Sequence, residues 1–318
     1  MQPTDLETEK VAVHRKVLRL MGNRFELSVV HEDGLWAEEQ IGIAISEIER
    51  IEKLLTTFNS NSQTNQINQN AGLKPVKVDK EVFDLILRSI KISKLTQGAF
   101  DITYGSIDKK LWNFDTAITS LPDKQTAQKM VRLINYQHII LNDEDHTVFL
   151  KEKGMRIGFG GIGKGYAADR AKSVLQKNGI ASGIVNAAGD LATWGVQPDG
   201  KPWTIGIADP DNKNHPFSYL DITDKAVATS GSYEKFAIIN GKKYSHTINP
   251  KTGYPVGGIK SVTILSPHAE IADAMATPVM VMGIQAGLDL INQIKHLACI
   301  LVDDNNKLYA SNNIKINR

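Results

Sequence analysis

Apolar and polar residues alternate from Lys16 to Val30, with a break at Met21-Gly22, and the pattern predicts a strand carrying a turn or bulge. From Trp36 to Phe58 the period lengthens. Ile41, Ile45, Ile48, Ile51, Leu54 and Leu55 recur at helical spacing and predict an amphipathic helix. It empties into Asn59–Asn70, rich in Asn, Gln and Ser, which reads as a solvated loop or, over a ligand, as a lid. Asp79 stands as N-cap to a second helix with Val82, Phe83, Leu85, Ile86, Ile90 and Ile92 available for burial. A third helix is predicted over Leu121–Ile134, then a hairpin of His138–Leu141 and Thr147–Leu150.

Tyr166–Asn178 has helical spacing, with Gly179 placed to end it. From Ile180 to Leu265 the pattern changes to short strands divided by Gly, Asp and Pro. Asn240-Gly241 marks a hairpin turn between Phe236–Ile239 and Lys242–Tyr244. Two helices, Ala269–Met282 and Ile284–Ile294, precede strands at Ala298–Val302 and Lys307–Ala310. Helices and strands in blocks, without sustained βαβ alternation, predict an α+β fold. The sequence shows no internal repeat and no linker.

Composition narrows the function little. The chain has 318 residues, 42% hydrophobic and 23% charged, enough for a substantial core. Its 37 basic and 35 acidic residues give a net charge of +2, so no basic surface recommends a nucleic-acid partner. The single cysteine, Cys299, lies in an apolar run and reads as a buried thiol. Residues 1–7 lack a basic and an apolar signal region, and no apolar run is long enough to span a bilayer. As written, the chain reads as cytoplasmic. The alternative is a periplasmic protein or membrane-anchored lipoprotein whose export segment lies outside this sequence.

The candidate chemistry centres on Ile157–Asp169, where five glycines and Lys164 lie between an apolar run and a helix. A glycine-rich turn feeding a helix N-terminus suits a phosphate: it offers backbone amides and the positive end of a dipole. Gly158-x-Gly160-x-x-Gly163 matches a dinucleotide fingerprint, but the acidic residue due at the end of the next strand is missing and Asp190 falls late, in a turn. The same glycines match a P-loop until Gly165 replaces the Ser or Thr that would hold magnesium. What survives is a diphosphate cradle with one lysine.

Asp273 and Thr277, spaced i and i+4, place their oxygens on one helix face. They could share a hard cation or simply serve the helix terminus and backbone. His246 sits just before a dense turn, Asn249–Gly253, where a catalytic or phosphate-contacting imidazole could stand. Asp101, in Gly98–Gly105, could cap a helix or contact a ligand.

In order along the chain, these segments resemble the ApbE family of flavin transferases. The matching pieces are Met21-Gly22, Thr56-Thr57-Phe58, Gly98–Thr103, Gly160–Asp169, Asn186–Asp190, Ala228–Gly231, His246–Gly253 and Ala272–Thr277. The resemblance implies one domain over residues 17–318, of two packed halves, after an N-terminal extension of residues 1–16. It implies a T-fold-like α+β architecture of helices and largely antiparallel sheets, with FAD between the halves. It also implies Mg²⁺-dependent transfer of FMN from FAD to a Ser or Thr hydroxyl of an acceptor flavoprotein, releasing AMP, with subunits of electron-transfer membrane complexes among the candidate acceptors. By matching position, Met21, Phe58, Ala99, Phe100, Asp101, Lys164 and Ile248 would contact FAD. Gly161 through its carbonyl, Asp273 and Thr277 would bind the metal. Lys164, His246 and Asp273 would be catalytic, with His246 preferred over Asp273 as base. Two departures stand out: Gly158 replaces an aspartate common in the family, and the N-terminal lipoprotein cysteine of many members is absent. The rival readings are an FAD diphosphatase giving FMN and AMP, and a flavin-binding protein without turnover.

Overall fold

The computed structural model describes residues 11–108, 120–208, 216–231, 236–239 and 242–314. The chain opens with β1 (Ala12–Leu20) and β2 (Asn23–His31), an antiparallel hairpin rather than one interrupted strand. Met21 and Gly22 both adopt positive φ, 49° and 73°, the backbone a two-residue hairpin turn requires. Because β1 begins at Ala12, it takes in residues that the sequence reading assigned to an extension.

Helix α1 (Gly34–Leu55) starts where the Asp33 side chain accepts from Trp36 N–H, and buries Ile41, Ala44, Ile45, Ile48, Ile51 and Leu55. The polar run after it is a solvated turn only over Asn59–Asn61. It then folds into a short helix, α2 (Gln63–Gln69), with Thr64, Asn65, Ile67 and Asn68 buried. The asparagines go inside because they pair with backbone: Asn65 donates to the carbonyls of Thr57 and Asn59. After β3 (Val76–Lys77) comes α3 (Lys80–Leu95), with Asp79 as N-cap residue, although its carboxylate accepts from Gln63 rather than from a helical amide. The third helix is shorter than its sequence pattern, α4 (Lys124–Val131), and the hairpin of β4 (Ile139–Asn142) and β5 (Thr147–Leu150) follows.

Helix α5 (Gly163–Lys177) begins three residues earlier than its apolar spacing suggested, so Lys164 and Gly165 lie in its first turn. Then come β6 (Gly183–Ala187), β7 (Asp190–Trp194), β8 (Trp203–Ala208), β9 (Pro216–Ile222), β10 (Ala226–Gly231), β11 (Phe236–Ile239), β12 (Lys242–Ser245) and β13 (Ile259–Ser266). The β11–β12 pairing matches the sequence reading, and its Asn240-Gly241 turn lies outside the described residues. Helices α6 (Ala269–Met282) and α7 (Ile284–Gln293) and strands β14 (Ala298–Asp303) and β15 (Leu308–Ala310) end the chain.

The main sheet runs β1-β2-β6-β7-β10-β13-β14-β15, every neighbour antiparallel. Alternation along its strands divides its faces. Val185, Ala187, Ala192, Ala228, Val262 and Ile264 join the large core with α1, α5 and α6. Ile184, Leu191, Val227 and Leu265 point the other way, under Ile205 and Ile222 of the β8–β9 hairpin. The fold is α+β, as the block pattern predicted. Cys299 is buried, and burial pushes its thiol well above the ordinary cysteine value, which suits a packing role. Among the described residues no helix is long and apolar enough to cross a membrane.

Candidate active site

The site is built where α5 and α6 meet over the ends of β7 and β10. Two contacts fix this crossing. Gly165 lies so close to α6 that a Cβ there would sit 2.1 Å from the Ala269 carbonyl oxygen. One turn on, the Asp169 carboxylate accepts from the amides of Ala269 and Glu270, supplying an anion to the N-terminus of α6. The Tyr166–Asp169 stretch of the motif is therefore structural, with the Tyr166 hydroxyl donating to Glu81 of α3.

Across this crossing Asp273 of α6 meets the first turn of α5. One carboxylate oxygen accepts from Gly165 N–H at 3.1 Å; the other lies 3.5 Å from Lys164 Nζ. The Lys164 amide also faces this carboxylate. The anion at the α5 N-terminus is thus Asp273 itself, which corrects the expectation that the first-turn amides are left for a phosphate. The loop of Gly158–Ile162 ahead of them is what remains for a diphosphate. Lys164 Nζ is 2.7 Å from Asp190, the first residue of β7. Burial works against the Lys164 ammonium, but the Asp273 and Asp190 carboxylates outweigh it and hold the amine above the ordinary lysine value. For Asp273 burial dominates and raises its carboxyl, with Lys164 and the amides opposing.

Thr277 lies one turn along α6, its hydroxyl 3.0 Å from that of Ser230 on β10. A carboxylate and a hydroxyl on one helix face, with one more buried carboxylate than ammonium nearby, make a donor set that fits a hard divalent cation. Among the described residues no group of three or more His, Cys, Asp or Glu side chains could hold a metal. A cation here depends on hydroxyl and carbonyl oxygens as well.

Other residues singled out from sequence gather at the glycine run. The Met21 methyl group lies against Gly163, and its amide donates to Glu52. The Phe100 ring lies against Gly161. Phe58 is 99% exposed at the turn after α1, and neighbouring Thr57 is the nearest group to the open space beside Gly158. A Cβ at Gly158 would meet nothing closer than ordinary van der Waals contact with Thr57. Ala99 is buried beside Phe100.

Asp101 and Ile248 belong to a second focus. One Asp101 oxygen accepts from Thr103 N–H and Oγ1–H, the other from Tyr136 N–H, so the side chain is a cap that ties two segments. It lines a cleft of about 360 Å³ with Gln97, Gly98, Tyr136 and Lys251. The Ile248 side chain packs with Met130, Val131 and Ile239, while its N–H donates to the Tyr104 hydroxyl. His246 is half-buried at the exit of β12, ahead of the turn organised by Asn249. Gly253 closes that turn at φ 74°, where a Cβ would strike the Ala127 carbonyl oxygen on α4. Asp101→Ala should lower stability by about 1–3 kcal/mol, since three donors lose their acceptor. Urea unfolding measures this, and a loss under ~0.5 kcal/mol would show that the cap contributes little.

Asn68 and Asp190 were not picked out as site residues by sequence. The Asn68 side chain donates to the Ile157 carbonyl and accepts from its N–H, clamping the entry to the glycine run from 89 residues away. Lost in an Asn/Gln-rich run, it gave no periodic signal. Asp190 appeared in the sequence as the end of the Asn186–Asp190 segment and as a residue in the wrong place for a ribose contact, with no signal that it meets Lys164.

The ApbE family model matches residues 21–301. An FAD:protein FMN transferase from Klebsiella pneumoniae (strain 342) is 31% identical over 294 residues, covering 92% of this chain and 90% of that one. One from Treponema pallidum (strain Nichols) is 27% identical over 83% of this chain and 77% of its own. Among solved structures, an ApbE protein from Thermotoga maritima superimposes with a TM-score of 0.85 at 27% identity, covering 95% of this chain and 98% of that one. The apo flavinyl transferase ApbE from Pseudomonas stutzeri gives 0.83 at 26% identity, covering 97% of each. With the family model spanning residues 21–301 and a relative 31% identical over nearly the whole of both chains, the chain belongs to the ApbE family.

Proposed function

We propose that this protein is an FAD:protein FMN transferase, moving FMN from FAD onto a Ser or Thr hydroxyl of an acceptor flavoprotein and releasing AMP. The observation that carries this reading is the half-buried Lys164 ammonium between Asp190 and Asp273, beside a glycine loop that meets open space at Gly160 and only Thr57 near Gly158. Attack by the acceptor oxygen on the FMN-side phosphorus forms a phosphoester. The bond from that phosphorus to the bridging oxygen breaks, and the oxygen leaves with AMP. Negative charge builds on the non-bridging oxygens as this happens. Lys164 and the loop amides stabilise it from fixed positions. Magnesium held by Asp273, Thr277 and the Gly161 carbonyl would supply further neutralisation of that charge. Met21 beside Gly163 and the exposed Phe58 offer apolar surface for the flavin or adenine ring, with Phe100 buried beneath Gly161.

The acceptor hydroxyl must lose its proton, and His246 is assigned as the base. Asp273 faces amides and the ammonium, and a carboxylate committed to a cation is a poor base. His246→Ala should lower turnover about 10²- to 10⁴-fold while FAD binding is kept. Wild-type turnover in that variant would exclude the assignment.

The activity is tested by incubating the protein with FAD, Mg²⁺ and a candidate acceptor, then reading flavin fluorescence on the acceptor in a denaturing gel. Labelled acceptor with equimolar AMP is the expected result. Free FMN and AMP without label would make the enzyme a diphosphatase, and no AMP would leave it a binding protein.

A further inference from the structure

Lys164 has two carboxylate neighbours, and they are not equivalent. Asp190 is at 2.7 Å and Asp273 at 3.5 Å. Asp273 also takes donors from the α5 backbone, and although its charge acts strongly on Lys164, the closer hydrogen-bonded contact of the ammonium is with Asp190. Asp190 lies on a different element and is 5% exposed. It is delivered to Lys164 by the tightest connection a sheet allows: Ala187 pairs with Asp190 across a two-residue turn. Both turn residues, Ala188 and Gly189, have positive φ, 57° and 99°. Glycine adopts this readily but alanine does so at a cost, and such strain persists where the surroundings over-determine it. The Asn186 side chain accepts from Gly189 N–H and braces the turn. A strained, braced turn that ends in a buried carboxylate against the one lysine of the glycine run is a positioning device.

We propose that Asp190 is the positioning residue of Lys164: it fixes the ammonium beside the diphosphate site independently of Asp273, which leaves Asp273 able to serve a cation. The inference rests on the flavin-transfer reading and adds a division of labour between the two carboxylates. The role assigned to Asp190 is exercised through Lys164 and not by contact with the reacting atoms. In its absence the four-carbon stem of Lys164 is free to take other rotamers, and Asp273 becomes the sole counter-ion.

The test is a double-mutant cycle on the full chain, with FAD affinity read by flavin fluorescence without added metal and turnover read with acceptor and Mg²⁺. Asp190→Asn should weaken FAD binding about tenfold, the scale of a hydrogen bond to a charged group, and lower turnover as well. In a Lys164→Met background the same substitution should change FAD affinity less than twofold, because the residue it acts through is gone. Asp190→Glu should restore part of the affinity. Losses that multiply across the cycle would overturn the inference and leave the transferase reading standing, as would wild-type affinity in Asp190→Asn. Failure of the native chain to bind FAD would sink the flavin reading and the inference together. Should Asp190→Asn fold poorly, thermal unfolding of the four cycle members gives a second readout. Lys164→Met should then recover part of the stability lost by Asp190→Asn, since the ammonium left with only the more distant Asp273 is removed with it; no recovery would count against the pairing.

Discussion

Asp273→Asn should reduce FMN transfer about 10³-fold at saturating Mg²⁺ while the protein stays folded, with its melting temperature within a few degrees of wild type. Asparagine is the informative replacement because the Asp273 side chain has two jobs. One oxygen accepts from Gly165 N–H at the head of α5, and an amide oxygen can keep that bond. What is lost is the negative charge, which serves the cation and is one of two counter-ions of Lys164; Asp190 remains to hold the ammonium. Asp273→Ala would confound the two by stranding a buried N–H. Chelator treatment of the wild type should abolish transfer and Mg²⁺ should restore it; in Asp273→Asn excess Mg²⁺ should restore little. More than a tenth of wild-type turnover in the variant would remove Asp273 from the metal assignment. Burial holds the Asp273 carboxyl above the ordinary aspartate range, and a proton there competes with the cation.

How far the sequence carries depends on how local the cause is. The apolar spacing of α1 is set within its own turns, so Ile41, Ile45, Ile48, Ile51 and Leu55 were identifiable and are buried. The β11 and β12 pattern was readable for the same reason. The Asn59–Asn70 run misled because composition stands in for exposure only when polar groups lack internal partners. Asn65 and Asn68 find theirs on the backbones of Thr57, Asn59 and Ile157, the last of these 89 residues away. The start of α5 was read late because glycine lowers helix propensity, whereas contacts with Asp273 and Ala269 set the first turn. The site divides in the same way. Lys164, Asp273 and Thr277 could be picked out as residue types, and the resemblance ordered them. That Asp190 is the nearer partner of Lys164, and that Asp273 faces the helix amides, follows from tertiary pairing that no spacing encodes.

Gly165→Ala should destabilise the fold by about 3 kcal/mol or more, the largest stability loss expected from any single methyl group in the glycine run. In a free helix the substitution would help by about 1 kcal/mol, because alanine is the better helix former. Here the added carbon would sit 2.1 Å from the Ala269 carbonyl oxygen, 2.5 Å from its carbon and 2.9 Å from Asp273 Cβ. Backbone cannot rotate away as a side chain can, so α5 and α6 must separate. That moves Lys164 from Asp273 and loosens the Asp169 cap on α6. Gly160→Ala is the control: nothing lies within 4 Å of its Cβ position, and the effect should stay within ~0.5 kcal/mol. Denaturant unfolding of the two variants decides the matter, and similar midpoints would refute the close approach. Gly165→Ser, which completes the P-loop pattern, meets the same wall and should be no better tolerated than alanine. The glycine that breaks the nucleotide-triphosphate motif is therefore the contact that lets α6 bring Asp273 to Lys164.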